Sequence, residues 1–581
     1  MELTAVQRSI VEAPLGAAIV TAGAGSGKTR VLTHRIAWLL QNGISDTSIL
    51  ALTFTNKAAD EMKRRIEAII GNQCNVYLGT FHAWCARFLR VNIGKPFDSN
   101  FTIYDAKDSA KVRKIVGEDN VGDYKAYLEA SNALDFDDLL EKTHEILASR
   151  RDVREKLHTA LRYILVDEFQ DTNKIQYEII KILAGQHKNV MVVGDEDQCI
   201  YSWRGANAEN LNAFLRDFPN ASIYKLEENF RSSKNIVALA NQLVSNNTAR
   251  LDKVLFSNLP EGNVQLNQYF DERHEARTVA MQIASEHHNK GKAYSDFAIL
   301  MRLNATSRNF EEQFNAFGIP HIIWGGYKFY ERAEVKSTIN YLRILINPRD
   351  ETALVDILNY PKRGIGDGTI QKLREHGVGT LLDAVYNPPK LPAKATAGLK
   401  EFVSTFENLK HIYESFSLHD LAASLIPTIG LDRMFATGKE EDTARLENVY
   451  QLEQAIKEYS KEHPGVTLTQ FLQTVSLVQD ADGEAQNDKV VISTVHSAKG
   501  LEFENVFVIG LEDGIFPLRR AKQSASEIEE ERRLLYVAIT RARKNLYLSY
   551  CTSRFYQGSR LYMRPSAFLM DCGLLDEDAH I

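Results

Sequence analysis

Ala22-Gly23-Ala24-Gly25-Ser26-Gly27-Lys28-Thr29 decides the fold of this chain. An apolar, strand-like run, Ala17-Ala18-Ile19-Val20-Thr21, leads into it, and a helical pattern begins as it ends. Strand, small-residue loop, helix is the P-loop arrangement, with Ala22 where the motif has its first glycine. Small residues let backbone N–H groups wrap a phosphate. Lys28 is then placed to reach the β and γ phosphates of a nucleotide, and Thr29 to ligate Mg²⁺. A glycine-rich surface turn would look similar, but it needs neither the strand nor the helix.

Two further apolar runs end in polar residues. Tyr163-Ile164-Leu165-Val166 is followed by Asp167-Glu168, and Asn189 to Val193 by Gly194-Asp195-Glu196-Asp197-Gln198. Ligands in open α/β sheets lie outside the carboxyl ends of the strands. Beside a P-loop, Asp167 suits Mg²⁺ placement, Glu168 suits orientation or deprotonation of the attacking water, and Gln198 suits contact with the γ phosphate. Strands alternate with helices through 1–90 and 160–245, which predicts a parallel sheet covered by helices. A second set of strand-like runs, 297–301, 490–494, 505–509 and 545–549, predicts a second sheet. Residues 332–487 read as a mostly helical insertion in that sheet, with a proline-rich loop at Pro388-Pro389-Lys390-Leu391-Pro392.

The chain has 581 residues, 44% hydrophobic and 25% charged. That fits about four globular units and excludes a mainly disordered or fibrous chain. No run approaches 18 consecutive apolar residues, so no membrane association is expected. Met1-Glu2-Leu3-Thr4 has no signal-peptide character. Five cysteines without a C-x-x-C pair predict neither a disulfide framework nor a cysteine-built metal site, and a cytoplasmic protein is expected. The net charge of −7 gives no global sign of nucleic acid, so any such binding must come from a local surface.

Several motifs in order resemble the UvrD/Rep/PcrA-type helicases of superfamily 1. They are Leu3-Thr4-Ala5-Val6-Gln7, the P-loop, Thr53-Phe54-Thr55-Asn56-Lys57-Ala58-Ala59 and Gly79-Thr80-Phe81-His82-Ala83-Trp84. Asp135-Phe136-Asp137-Asp138-Leu139-Leu140, Val166 to Asn173, Asp197 to Ala206 and Leu226 to Ser232 follow. Thr494 to Phe503 and Leu535 to Ala542 close the series.

The resemblance implies an ATP-dependent DNA helicase, moving 3′ to 5′ on single strands and acting at single/double-strand junctions. The cofactors it implies are ATP and Mg²⁺, and the process DNA repair or replication with protein partners of that kind. A monomer or weak dimer, nucleoid-associated when on DNA, is expected. The architecture implied is two RecA-like domains, 1A (1–88 and 141–225) and 2A (226–331 and 488–581), with insertions 1B (89–140) and 2B (332–487). Nucleotide contacts would come from Gln7, Ala22 to Thr29, Arg30, Phe230 and Glu502. Arg231 and Arg541, 310 positions apart, match arginines that reach the γ phosphate. Phe54, Asn56, His82, Tyr201, Trp203, Arg204 and His496 match DNA-side positions, where exposed rings stack on bases.

Two local stretches add to this. Residues 540–565 carry Arg541, Arg543, Lys544, Arg554, Arg560 and Arg564 among aromatics and no acid, which predicts a phosphate-binding surface, with an edge strand bearing basic residues as the rival. Lys362 to Thr369 resembles the duplex-contacting hairpin of the 2B domain. Only 82 positions separate Trp84 from Val166, so insertion 1B is expected to be reduced. The chain ends 40 residues after Arg541, so the usual C-terminal extension is expected to be largely absent. Alternatives to a helicase are a translocase that strips proteins from DNA, the motor subunit of a helicase–nuclease assembly, and a catalytically dead DNA-binding scaffold.

Overall fold

The computed structural model describes residues 2–117, 120–185, 187–202, 205–206, 209–248, 253–303, 306–324, 330, 332–436, 440–477, 488–556 and 559–576. The chain divides into two compact units, one of residues 1–80, 154–326 and 479–581, the other of 81–153 and 327–478.

The first unit holds two six-stranded sheets. We number their strands β1 (Ala17–Ala22), β2 (Ile49–Thr53), β3 (Tyr77–Thr80), β4 (Tyr163–Val166), β5 (Val190–Gly194) and β6 (Ser222–Leu226), then β7 (Asn263–Tyr269), β8 (Phe297–Met301), β9 (His321–Trp324), β10 (Val490–Thr494), β11 (Phe503–Val508) and β12 (Ala542–Cys551). The first sheet has the order β3-β2-β4-β5-β1-β6 and the second β9-β10-β8-β11-β12-β7. Every pairing in both is parallel. The α/β class expected from the sequence is therefore the class observed.

The central strands β1, β2, β4, β5 and β8 are almost wholly buried. Sheets covered on both faces give such continuous apolar runs. Strand order places β4, β5 and β1 side by side, so the polar ends of three adjacent strands converge on one edge of the sheet. One apolar core joins Ala24 of the P-loop and Ile200 to residues around the second sheet, among them Val491, Val506, Leu534 and Leu548. That shared core seats the helix Ala525–Ile539 close to the phosphate loop.

Among its described residues, the second unit is helical apart from a two-stranded pairing of Thr102–Ile103 with Ala133–Leu134. The proline-rich loop lies between the helices Leu381–Tyr386 and Ala393–Ser415, as the sequence predicts. Buried Arg343 bridges Asp108 and Asp350 at 2.7 and 2.8 Å, tying the earlier stretch of this unit to the later one. No described helix is long and apolar enough to cross a membrane.

Candidate functional site

The phosphate loop is held from both sides. Asn229 Nδ2 donates to Ala24 O at 2.7 Å, and the Phe230 amide donates to Gly25 O at 3.0 Å. Gly25 (φ +68°) and Gly27 (φ +88°) occupy the left-handed region that glycine enters without strain. Gly27 then caps the helix Lys28–Gln41, so the first N–H groups of that helix face the loop. Gln7 is buried: its Nε2 donates to Ser26 O at 3.2 Å and its Oε1 accepts from the Thr4 amide. Gln7 thereby lies against the loop it was expected to accompany, while Phe230 keeps an exposed ring beside it. Arg30 is in the first turn of the same helix.

Lys28 Nζ lies 3.7 Å from Glu168 Oε2. Glu168 has φ +50° and ψ 43°, which costs a non-glycine residue about 1–3 kcal/mol and is typical of functional sites. Burial opposes its ionisation, but Lys28 and Lys499 hold its carboxyl below the ordinary value. Burial, with Glu168 adding to it, raises the neighbouring Asp167 to about 7. The two crowded carboxylates Asp167 and Glu168 offer hard oxygen donors of the kind a small dication takes, and Thr29 stands in the first turn of the helix Lys28–Gln41.

Two arginines reach this edge, Arg541 from just before β12 in the second sheet and Arg231 from the connection that follows β6. Arg541 is 1% exposed, with Nη2 3.5 Å from Gln198 Oε1 and Nη1 donating to Leu501 O at 3.1 Å. Arg231 Nε donates to Glu502 Oε2 at 2.6 Å and its Nη1 to Thr540 O at 3.3 Å. Lys28, Asp167, Glu168, Gln198, Arg231, Glu502 and Arg541 are thus brought together, although the sequence spreads them over more than 500 positions.

A ring cluster lies along the same unit. Phe54 stacks on Tyr201 with centroids 5.2 Å apart, and the Tyr201 hydroxyl donates to His496 O at 3.1 Å. Lys499 Nζ lies 5.1 Å from the Tyr201 ring centre and donates to Gln198 O at 2.8 Å. Asn56 opens the helix that follows Phe54. His82 belongs to the second unit, edge-on to Phe136 at 5.3 Å. Trp203 and Arg204 lie outside the described residues.

Sequence reasoning missed several participants. Gln170 donates to Glu168 Oε2 at 2.6 Å, Lys499 pairs with Asp171 at 2.5 Å, and Asn229 clamps the phosphate loop. All three stand in the quoted motifs, so adjacency to an expected site residue was the available signal.

The basic stretch 540–565 needs correction. Arg554 is buried between Glu275 and Glu512, at 2.9 and 2.8 Å, Tyr547 is interior, and Arg541 faces the cleft. Strand β12 runs between β11 and β7 rather than at an edge, so half of its side chains must point inward. In the second unit, Lys362 to Gly366 does form a glycine-rich turn before the helix Asp367–Glu375, beside a groove of about 430 Å³. Arg363 points inward from that turn, toward Ile357, Leu358 and Pro361 carbonyls.

The UvrD/REP helicase N-terminal domain family matches residues 3–121 and 118–219, and the UvrD-like helicase C-terminal domain family matches 224–553. The chain belongs to the UvrD-like helicase family. Among the members it resembles, the ATP-dependent DNA helicase PcrA of Staphylococcus aureus is 37% identical over 623 aligned positions, covering 97% of this chain and 85% of that protein. The PcrA helicase of Staphylococcus epidermidis gives the same identity and coverage. Both UvrD-like halves meet at the cleft described above, since the N-terminal match carries the phosphate loop and the C-terminal match carries Arg231 and Arg541.

Proposed function

We propose that this ATP-dependent DNA helicase moves 3′ to 5′ along single-stranded DNA and separates strands at single/double-strand junctions, in DNA repair or replication. The observation that carries the reading is the approach of Arg541, from the second sheet, to Gln198, at the carboxyl edge of the first. An arginine supplied across a cleft is worth about 10³–10⁵ in phosphoryl-transfer rate. Because its placement depends on the spacing of two sheets, hydrolysis is coupled to closure of the cleft.

In this reading the loop Ala22 to Gly27 and Lys28 bind the phosphates, and Glu168 orients and deprotonates the attacking water. Gln198, Arg231 and Arg541 take up charge on the γ phosphate. Gln7 and Phe230 hold the adenine, and Glu502 releases Arg231 toward the phosphates. Thr29 and Asp167 would hold Mg²⁺, which neutralises phosphate charge when bound. Phe54, Tyr201 and His496 hold the single strand, and the resemblance adds Asn56, His82, Trp203 and Arg204 as candidate contacts. Domain boundaries as expected from the sequence, 1A with 1B and 2A with 2B, suit this division of labour.

The test is ATP-driven unwinding of two partial duplexes, one with a 3′ tail and one with a 5′ tail. Unwinding from the 3′ tail alone is expected. DNA-stimulated hydrolysis without unwinding of either would instead assign the chain to protein-stripping translocation.

A further inference from the structure

Lys253 lies outside every motif quoted above, in a stretch where a lysine reads as a solvated loop residue. Its side chain is instead 0% exposed. Nζ lies 2.5 Å from Asp195 Oδ1, 3.2 Å from Glu196 Oε1 and 3.3 Å from Asp197 Oδ2. All three carboxylates are buried. A buried cation is retained only where its partners compensate its desolvation, and removal of one partner leaves the others uncompensated.

The Asp195 it grips is at a junction. Asp195 Oδ2 accepts from Gln198 Nε2 at 2.5 Å, and the Asp195 amide donates to Gln170 Oε1 at 2.8 Å. Gln170 passes its own Nε2 to Glu168 Oε2 at 2.6 Å. One aspartate therefore holds both amide side chains, Gln198 through its carboxylate and Gln170 through its backbone amide. Burial raises the Asp195 carboxyl, but Lys253, followed by Lys28, outweighs it and keeps the group ionised. An ionised carboxylate only accepts hydrogen bonds. It can bind Gln198 solely through its NH₂, which leaves the Gln198 carbonyl facing Arg541. A protonated Asp195 could donate, the Gln198 amide could turn over, and its NH₂ would then oppose the guanidinium.

The Lys253 segment is itself clamped to both sides of the cleft. Asn241, on the helix Lys234–Val244 in the core of the second sheet, exchanges hydrogen bonds with Leu255 at 2.7 and 3.2 Å. Phe256 N–H donates to Glu227 O at 3.0 Å, just beyond β6 of the first sheet. Tyr536, from the helix that leads to Arg541, buries its hydroxyl and interacts electrostatically with Asp195 and Lys253.

We propose that Lys253 is a positioning residue for ATP hydrolysis, fixing Asp195 so that Gln198 presents its carbonyl to Arg541 and Gln170 holds Glu168. The proposal rests on the roles assigned above to Gln198 and Glu168.

The experiment compares wild type, Lys28→Ala, Lys253→Met and Lys253→Arg, with saturating single-stranded DNA. ATP turnover is normalised to nucleotide-binding-competent protein, titrated with a fluorescent ATP analogue. Lys253→Met is expected to lower kcat about 10- to 100-fold, as small misplacements of reacting groups do. KM for ATP is expected to stay within about threefold. Lys253→Arg, which keeps the charge, should recover most of the lost kcat. A kcat per competent molecule equal to wild type in Lys253→Met, with only its melting temperature lowered, overturns the proposal and leaves Lys253 a structural residue. If Lys253→Met is not recovered folded, the charge-balanced pair Lys253→Met/Glu196→Gln takes its place, with the same two outcomes. Turnover by Lys28→Ala equal to wild type would instead overturn the reading of the site itself.

Discussion

The guanidinium of Arg541 stands 3.5 Å from the side-chain oxygen of Gln198, two residues 343 positions apart that sit on opposite sheets of one unit. Burial lowers the Arg541 pKa to about 9, with Arg231 adding to the effect, so the cleft holds this cation under electrostatic stress. In the function proposed above, a γ phosphate arriving there would supply the missing negative charge. Arg541→Lys should therefore lower kcat for ATP by about 10³-fold, because a lysine cannot reproduce the planar fork. The affinity for ATP should change by less than about threefold if the contact forms mainly in the transition state. Steady-state hydrolysis combined with equilibrium nucleotide binding separates the two quantities. A tenfold loss of affinity with kcat intact would place Arg541 in ground-state binding.

Phe54 and Tyr201 lie nearly parallel, 17° between planes and 5.2 Å between ring centroids. Each ring can exchange its partner for a nucleobase at similar stacking cost, and one stacked base is worth about 1–3 kcal/mol. Phe54→Ala is expected to weaken binding of an oligothymidine by about 5- to 100-fold at fixed salt. The salt dependence of binding should keep its slope, since no phosphate contact is removed. Fluorescence anisotropy at three salt concentrations gives both values, and unchanged affinity would mean that the pair is simply packing.

Much of this site was legible because buried parallel strands leave unbroken apolar runs, and the residues just past them are the site. Ala17–Ala22, Tyr163–Val166 and Val190–Gly194 announced Lys28, Asp167 and Gln198 in this way. Strands at or near the margins were not legible. Asn263–Tyr269 is half-exposed and polar at alternate positions, so it gives no apolar run. Charge also misled. Arg554 was read as part of a surface and is buried between Glu275 and Glu512, and Lys253, which no motif marked, is buried among three acids. Sequence shows that such residues are charged; only the fold brings their counter-charges from 58 or 279 positions away. The left-handed backbone at Glu168 had no sequence signal at all, because the residue is not one that favours it.

Asp138, in the second unit, gives a pH test. Burial, with Asp135 next in importance, raises its carboxyl to about 6 from an ordinary 3.8. The folded state therefore holds a proton that the unfolded state has lost between about pH 4 and 6, and stability falls as pH rises through that window. Above pH 6 the full cost of the buried charge is present. Asp138→Asn removes the charge and can still accept the Asp135 amide hydrogen bond that closes the helix cap. The variant should be more stable than wild type by about 2–3 kcal/mol at pH 8, with the difference fading toward pH 4. Thermal melting of both proteins at pH 4.5 and pH 8 checks this. A destabilised variant at pH 8 would mean that the cap outweighs the charge.

The phosphate loop offers a prediction in which one substitution repairs another. A Cβ on Gly23 would lie 2.1 Å from Leu255 Cδ2 and 2.7 Å from Cδ1. Leu255 is only 4% exposed and held through Asn241, so it cannot swing away freely. Gly23→Ala should therefore push the loop off its seat and raise KM for ATP by about tenfold or more, the scale of a 1–3 kcal/mol overpacking cost. Leu255→Ala leaves a cavity, which costs about 2–5 kcal/mol of stability but vacates the space the new methyl needs. Combined, the two substitutions should bind ATP more tightly than Gly23→Ala alone, even though the second lowers the melting temperature. A double-mutant cycle on ATP affinity measures that coupling directly. Strict additivity would mean that Gly23 is required for backbone contact with the phosphate and not for the close approach of Leu255.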